Sequence, residues 1–303
     1  MEEKSGIELS NRLIKRHKKD NSLIYFLLPA LLFINIVMVV PLLYSLGLSF
    51  TKWIFSVPGS LGQFAGLSNY AKVLSDIHFW ESVKTTLLFS SAAIFFELSI
   101  GILTAVFLNR KFFGRGVFRS IIIIPMVIAP AIMGQFWSLL YDQKGVFNFF
   151  LESLGLARVN WLDVNYAIWS MVIIDVWQWL PFAVIIILAG LQSVSVDVLE
   201  AARVDGADNS RIFWHIELPT LVPFIIIILF FRLTDALREF DKIFIMTKGG
   251  PGSATRVLSI FNYEAGFKVM ELAKSSSISW FFAILMVIIL LPILIFVFKR
   301  IQY

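Results

Sequence analysis

The sequence has 303 residues, of which 58% are hydrophobic, and its mean hydropathy is +0.81. A soluble domain of this length needs far more polar residues to cover its surface, so most soluble-enzyme classes are excluded and a bilayer must supply much of the solvent. The net charge of +5 does not indicate a nucleic-acid partner, because the basic residues form short clusters between apolar runs.

Six stretches reach the roughly 20 apolar residues that a helix needs to cross the hydrocarbon core. The first follows a basic segment, residues 12–19, but it is too long for a signal-peptide core and no small-residue cleavage site follows it, so we expect a retained helix. The predicted fold is an all-α membrane protein with six transmembrane helices, in which a basic tail (1–22) precedes a membrane domain (23–303, core 85–298). The predicted spans are residues 23–50, 85–108, 117–140, 166–191, 221–247 and 279–298.

Lysine and arginine are distributed unequally between the two sides of these spans. With the amino terminus inside, the inner segments hold 14 basic residues and the outer segments hold 9, although the outer segments are longer in total. Such a bias directs insertion, and it predicts that both termini are cytoplasmic. Six tryptophans near the outer helix ends agree, because indole prefers the membrane interface. They are Trp53, Trp80, Trp137, Trp161, Trp169 and Trp280.

The longest inner loop, residues 193–219, has the pattern of two short helices. Asp197 and Glu200 form a capping-box-like start for the first helix, and Gly206 is placed to end it in a left-handed conformation. A second helix is predicted to begin near Asn209 or Ser210 and to stop before Pro219. Small side chains leave a smooth face that another protein can approach closely. These are Ala201, Ala202 and Ala207.

The same loop resembles the EAA loop of binding-protein-dependent ABC importer permeases. The pattern comprises Glu200-Ala201-Ala202, Asp205-Gly206-Ala207, Ile216 and Leu218-Pro219. Other segments resemble the sugar branch of these permeases, of the maltose and glycerol-3-phosphate type. They are residues 66–70, Phe79-Trp80, residues 240–251, and the set Tyr263, Ala265 and Phe267. The chain departs from the branch at residues 271–275, where the outer contact with a binding protein is expected to differ.

The resemblance implies a type I ABC importer transmembrane domain and a coupling role for the loop. The first short helix would dock in a cleft of a cytoplasmic ATPase, where Glu200 and Asp205 would meet polar or basic groups. Gly206 would permit the tight bend. Ile216 and Leu218 would pack the loop against span five, and Pro219 would set where that span begins.

The resemblance also implies the partners and the localisation. The expected partners are a cytoplasmic ATPase dimer, a second homologous permease in a heterodimer, an extracytoplasmic solute-binding protein and membrane lipid, with no nucleic acid. The expected localisation is the bacterial plasma membrane, with several membrane passes.

No cofactor and no catalytic residue are predicted for this chain. The sequence lacks the P-loop pattern, since the glycine-rich residues 249–252 are not followed by Lys-Ser/Thr, so ATP and magnesium would bind the partner ATPase. It has no cysteine, and His17, His78 and His215 are too scattered to predict a metal site.

Charged and polar side chains within the spans are candidates for a substrate path, because such groups usually face a bundle interior or water. In span five Arg232, Asp235, Glu239 and Lys242 recur at helical spacing, which places them on one face of a continuous helix. Two interpretations stay open, a hydrated path or charges that pair with each other and with a partner subunit. The candidate path residues are Glu97, Asp175, Trp177, Gln178, Trp179, Arg232, Asp235, Arg238 and Glu239.

For the two tryptophans, helix packing is the favoured role, and polar helix–helix contacts are the alternative for Glu97 and Asp175. Three other functions compete with a sugar permease. An ion-coupled secondary transporter would use the charged fifth span as an ion relay, but it leaves the EAA spacing unexplained. An integral membrane enzyme lacks a supporting His/Asp cluster or a G-x-S-x-G motif. An ABC permease for a non-sugar solute is the third.

Overall fold

The structure is a computed structural model that describes residues 22–60 and 62–301. The predicted tail, residues 1–22, lies outside the described residues except for Ser22. Within the described part the chain is helical, and its only strand-like pairing is an isolated antiparallel bridge between Thr51 and Phe64. The helices are α1 (Ser22–Ile34), α2 (Val40–Ser49), α3 (Ser68–Ser75), α4 (Ile77–Asn109), α5 (Arg115–Val127), α6 (Pro130–Leu140), α7 (Val146–Ser153), α8 (Ala167–Gln192), α9 (Val196–Val204), α10 (Asn209–Ile212), α11 (Leu218–Leu237), α12 (Asp241–Met246), α13 (Leu258–Tyr263) and α14 (Leu272–Ile301).

Five helical runs are long and apolar enough to cross a membrane, and α5 with α6 forms a sixth when the bent pair counts as one span. The predicted all-helical six-span fold is confirmed in that form. Two spans begin earlier than predicted, α4 at Ile77 instead of 85 and α14 at Leu272 instead of 279. The added residues carry polar or charged side chains among apolar ones, such as Glu81 and Lys84 in α4 and Lys274 in α14, so hydropathy does not count them as membrane residues although the helix continues through them.

The third span is not the continuous helix predicted over residues 117–140. It bends by 101° between α5 and α6. The residue before a proline is pushed out of the helical region, and Ala129 is extended (φ −59°, ψ 138°) immediately before Pro130. Pro130 then occupies the first turn of α6, where its missing N–H leaves no gap in the hydrogen bonding.

The fifth span is likewise interrupted, and the prediction of one helix over 221–247 is wrong. The helix α11 ends at Leu237, and α12 begins at Asp241. The Glu239 carboxylate accepts a hydrogen bond from the Lys242 backbone N–H at 3.2 Å, which satisfies a free amide in the first turn of α12. The break removes the single helical face predicted for Arg232, Asp235, Glu239 and Lys242.

The helix α8 is the central element, and it packs against α4 along much of its length and also against α5 and α11. Glycines permit the close approach at two crossings. A Cβ built on Gly101 of α4 would lie 2.9 Å from the Ala183 Cβ of α8, and one on Gly190 would lie 2.7 Å from the Leu221 side chain of α11. These contacts bring α4 and α11 close to α8.

Gly101→Ala should destabilise the fold, because the added methyl meets a rigid Ala183 Cβ and forces the two helices apart. We expect a loss of about 1–3 kcal/mol, measured by thermal or denaturant unfolding of the purified protein. Gly47→Ala in α2 is the matched control, since nothing lies within 4 Å of its Cβ position. Equal stability of the Gly101→Ala and Gly47→Ala proteins would contradict this packing.

Candidate functional site

A largely buried group of charged and amide side chains lies where α4, α8, α11 and α12 meet. Five members are at most 1% exposed, and the side chain of the sixth, Glu239, is 11% exposed. We call this group the buried charge cluster. Its members are Glu97, Asp175, Gln178, Arg232, Glu239 and Lys242.

Arg232 of α11 is the first cation of the cluster. Its Nε and Nη2 donate to the two carboxylate oxygens of Glu97, both at 2.7 Å, and Nη2 also donates to Asp175 Oδ2 at 2.7 Å. Such bidentate, charge-assisted bonds combine strength with a fixed geometry. Arg232 therefore joins α4, α8 and α11 through one guanidinium group.

Lys242 of α12 is the second cation. Its Nζ donates to Asp175 Oδ1, to Gln178 Oε1 at 3.0 Å and to Glu239, whose Oε2 is 3.0 Å away. Lys242 belongs to the predicted charged face but was not among the candidate path residues. Sequence spacing gave no sign of its contact with α8, because that contact depends on the break between α11 and α12.

The structure separates the predicted path residues into two groups. Glu97, Asp175, Gln178, Arg232 and Glu239 converge in the buried charge cluster, where they bond to each other and to Lys242. Asp235 and Arg238 lie outside it and form a partly exposed pair, with Arg238 Nη2 3.3 Å from Asp235 Oδ1. Within this chain the buried charges are therefore paired with each other, whereas Asp235 and Arg238 are accessible.

The two neighbouring tryptophans of α8 lie in different surroundings. Trp179 is half-buried, and the Arg232 guanidinium carbon lies 4.7 Å from the centre of its ring. Trp177 instead lines two surface grooves whose walls are almost wholly apolar, and its ring meets Trp137 edge-on at 5.6 Å. Trp177 thus contacts apolar side chains, whereas Trp179 lies beside a charged group.

The loop at 193–219 forms the two predicted short helices, but its start differs. The helix α9 begins at Val196 after Ser195, and no side-chain hydrogen bond caps it, so the capping box predicted from Asp197 and Glu200 does not form. Asp197 already lies in the first turn, because the helix starts earlier than the pattern indicated.

The end of α9 agrees with the prediction. Gly206 has φ +81°, its N–H donates to Arg203 O at 3.1 Å, and the Ala207 N–H donates to Ala202 O at 2.9 Å. This pair of bonds around a left-handed glycine is the Schellman motif. The second helix, α10, begins at Asn209 as predicted, and the Asp208 carboxylate caps it by accepting from the Arg211 N–H at 2.8 Å.

The second helix does not stop before Pro219, contrary to the prediction. A π-helical segment, Phe213–Glu217, joins α10 directly to α11, and Pro219 lies in the first turn of α11. In this wider turn the Leu218 N–H donates a hydrogen bond to Phe213 O, five residues earlier. This change of register accommodates Pro219, which has no N–H to donate. The second helix of the loop and span five therefore form one helical run.

The loop residues that the resemblance assigns to coupling are partly exposed. Glu200, Ala201, Asp205 and Gly206 are exposed, while Ala202, Ala207, Ile216 and Leu218 are half-buried. Four large apolar residues beside them are also exposed, Val196 (65%), Val198 (48%), Val204 (87%) and Trp214 (61%). Exposed apolar side chains among polar ones are typical of a protein-binding surface.

The apolar spans, with a two-helix loop between the fourth and fifth, define a multi-pass membrane protein. Residues 97–303 match the family described as binding-protein-dependent transport system inner membrane component, and the chain belongs to that family. It is the permease subunit of an ABC importer, in which the ATPase is a separate partner.

Three known proteins illustrate the relationship. The probable ABC transporter permease protein y4oQ of Sinorhizobium fredii is 44% identical, over 92% of this chain and 91% of the relative. The trehalose/maltose transport system permease protein MalF of Thermococcus litoralis is 38% identical over 84% and 86%. A crystal structure of a bacterial alginate ABC transporter in complex with alginate pentasaccharide-bound periplasmic protein aligns with a TM-score of 0.80 and 25% identity, covering 93% of this chain and 96% of that one.

Arg232→Met should destabilise the protein strongly, because it leaves Glu97 buried without a cation and leaves Asp175 with Lys242 alone. We expect a loss of about 3–5 kcal/mol in the free energy of unfolding of the purified protein. The double variant Glu97→Gln/Arg232→Met should recover part of that loss. Arg238→Met, which removes only an exposed pair, should change stability by about 1 kcal/mol or less. A similar loss for Arg232→Met and Arg238→Met would contradict the assigned pairing.

Proposed function

We propose that this permease imports a sugar, a di- or oligosaccharide, using ATP that a separate subunit hydrolyses. The similarity to a trehalose/maltose permease and to an alginate transporter supports a saccharide substrate. The sugar-branch pattern at residues 240–251 supports it independently. An ABC permease for a non-sugar solute is the alternative, and an ion-coupled carrier is disfavoured by the family membership.

The observation that supports coupling most directly is the continuity of α10, the π-helical segment and α11. In this proposal α9 docks in a cleft of the ATPase through Glu200, Ala201, Asp205 and the exposed apolar side chains. Closure of the ATPase dimer then displaces α9, and the helical run transmits the displacement to Arg232 in the membrane. Alternation between inward-open and outward-open states follows from such a rigid displacement.

The proposed assembly has a second, homologous permease, an ATPase dimer on the inner face and a solute-binding protein on the outer face. ATP and magnesium bind the ATPase, and this chain binds neither. The excess of basic residues in the inner segments supports cytoplasmic termini. With that orientation the docking loop at 193–219 faces the ATPase, as coupling requires.

For the substrate path we propose the accessible side of α8 and α11 beside the buried charge cluster. Trp179 supplies an aromatic surface for the apolar face of a sugar ring, and the partly exposed Asp235 and Arg238 supply hydrogen-bonding groups for its hydroxyls. Arg232 is already bonded to two carboxylates, so it supports the shape of the path rather than binding an anionic substrate.

Gly206→Val tests the coupling role of the loop. Valine at φ +81° costs about 1–2 kcal/mol and opens the end of α9, so we expect the permease to insert but to lose ATPase association and ATP-driven sugar uptake. The measurement is co-purification with the ATPase, followed by uptake into proteoliposomes carrying the whole complex. Gly155→Val is the matched control, because Gly155 also has positive φ (+74°) and open surroundings but lies in the loop after α7.

Retained ATPase association in Gly206→Val would contradict the docking assignment. Uptake that continues without ATP, or a complex that moves no saccharide offered with its binding protein, would contradict the proposed function as a whole.

Trp179→Ala should raise the KM for sugar uptake at least about tenfold, the factor that corresponds to 1.4 kcal/mol and to a typical aromatic contact. Trp179→Phe should retain most of the affinity. The control is Trp177→Ala, which changes the apolar grooves and the contact with Trp137 and should leave the KM unchanged. An equal rise in KM for the Trp177 and Trp179 variants would exclude a specific aromatic platform.

A further inference from the structure

The two short helices that follow the breaks, α6 and α12, pack against each other. We call them the half-helix pair. At their contact a Cβ on Gly134 would lie 3.2 Å from the Lys242 Cα and 3.3 Å from its carbonyl oxygen. The two backbones therefore touch at this point, and a displacement of one short helix displaces the other.

Two side chains connect the half-helix pair to α8 by polar contacts. Lys242 Nζ of α12 donates to Asp175 and to Gln178 Oε1. Gln178 Nε2 donates at 2.9 Å to Ile128 O, a carbonyl at the bend between α5 and α6. The Gln178 amide thus contacts both interrupted spans, and both of its polar atoms are used.

Apolar contacts also join the pair to α8, but they do not define one position along it. Met133, Trp137 and Ile243 pack with Met171 and Ile174 in a common core. Apolar attraction is non-directional, so it permits the short helices to slide by small distances. Hydrogen bonds require particular atoms at particular distances, so the polar contacts of Lys242 and Gln178 favour a single register.

We propose that Lys242 and Gln178 are positioning residues that hold the half-helix pair at one position along α8. We call this position its register. Both side chains are about 1% exposed, so they act through the short helices and not by touching substrate. The register decides where α6 and α12 stand relative to Trp179 and Asp235. The register is a property of this chain, while its effect on uptake rests on the proposed function.

The register can be measured without transport. Because the chain has no cysteine, Leu139→Cys in α6 (70% exposed) and Ile185→Cys in α8 (42% exposed) provide a specific pair of spin-label sites, in a complex whose other subunits lack reactive cysteines. Pulsed electron paramagnetic resonance should give one narrow distance for the otherwise native chain. Lys242→Met and Gln178→Leu should shift or broaden that distance, and Lys248→Met, at an exposed lysine beyond α12, should not.

Conservative variants separate positioning from general stability. Lys242→Arg keeps the cation and should restore the narrow distance. Gln178→Glu keeps an oxygen toward Lys242 but loses the donor to Ile128 O, so it should shift α6 although the Lys242 contact persists. Gln178→Leu removes no charge, and it provides the same test if Lys242→Met does not assemble. A narrow, unshifted distance in Lys242→Met and Gln178→Leu would overturn the proposal.

Sugar uptake by the reconstituted complex tests the effect of the register on transport. We expect Gln178→Leu to lower the maximal rate of sugar uptake about tenfold with the KM unchanged, while ATP hydrolysis stimulated by the binding protein continues. A loss of uptake and ATP hydrolysis in equal proportion, matching a loss of assembled complex, would show a purely structural role and overturn the proposal. If the native complex moves no sugar, the proposed function fails, and the distance measurement still decides the register.

Discussion

The cost of enclosing charges away from water governs this structure. Two cations and three carboxylates lie together in the interior, and each is stable there only because its partners stand within hydrogen-bonding distance. Those partners come from α4, α8, α11 and α12, so the four helices must meet at one place. The close glycine contacts at Gly101 and Gly190 allow the helix backbones to approach closely enough.

The interrupted spans depend on the same cluster. Irregular backbone is tolerated inside a membrane protein only where its polar groups find partners in the protein or in a hydrated cavity. Gln178 satisfies the Ile128 carbonyl at the first break, and the Glu239 carboxylate satisfies the Lys242 N–H at the second. Both side chains also bond to Lys242 Nζ. The same residues therefore satisfy the backbone groups at the breaks and pair the buried charges.

The helix α11 connects this interior to the proposed docking surface. At its start it continues from α10 and the π-helical segment without a break, and further along it holds Arg232, which contacts both α4 and α8. A displacement of α10 therefore has a direct helical route to the buried charge cluster. In the proposed transport cycle this route joins the ATPase to the half-helix pair, since Asp175 bonds to both Arg232 and Lys242.

The amino-acid sequence was sufficient to predict the membrane class, six spans, the two-helix loop, the Gly206 cap and the family, because each depends on composition or on short-range spacing. It also named five of the six members of the buried charge cluster as candidates for one site. It could not find the two breaks as such, the junction of the loop with α11, or the contact of Lys242 with α8. Tertiary structure decided these, since a broken helix redirects every later side chain, and which charges meet depends on residues that are distant along the chain.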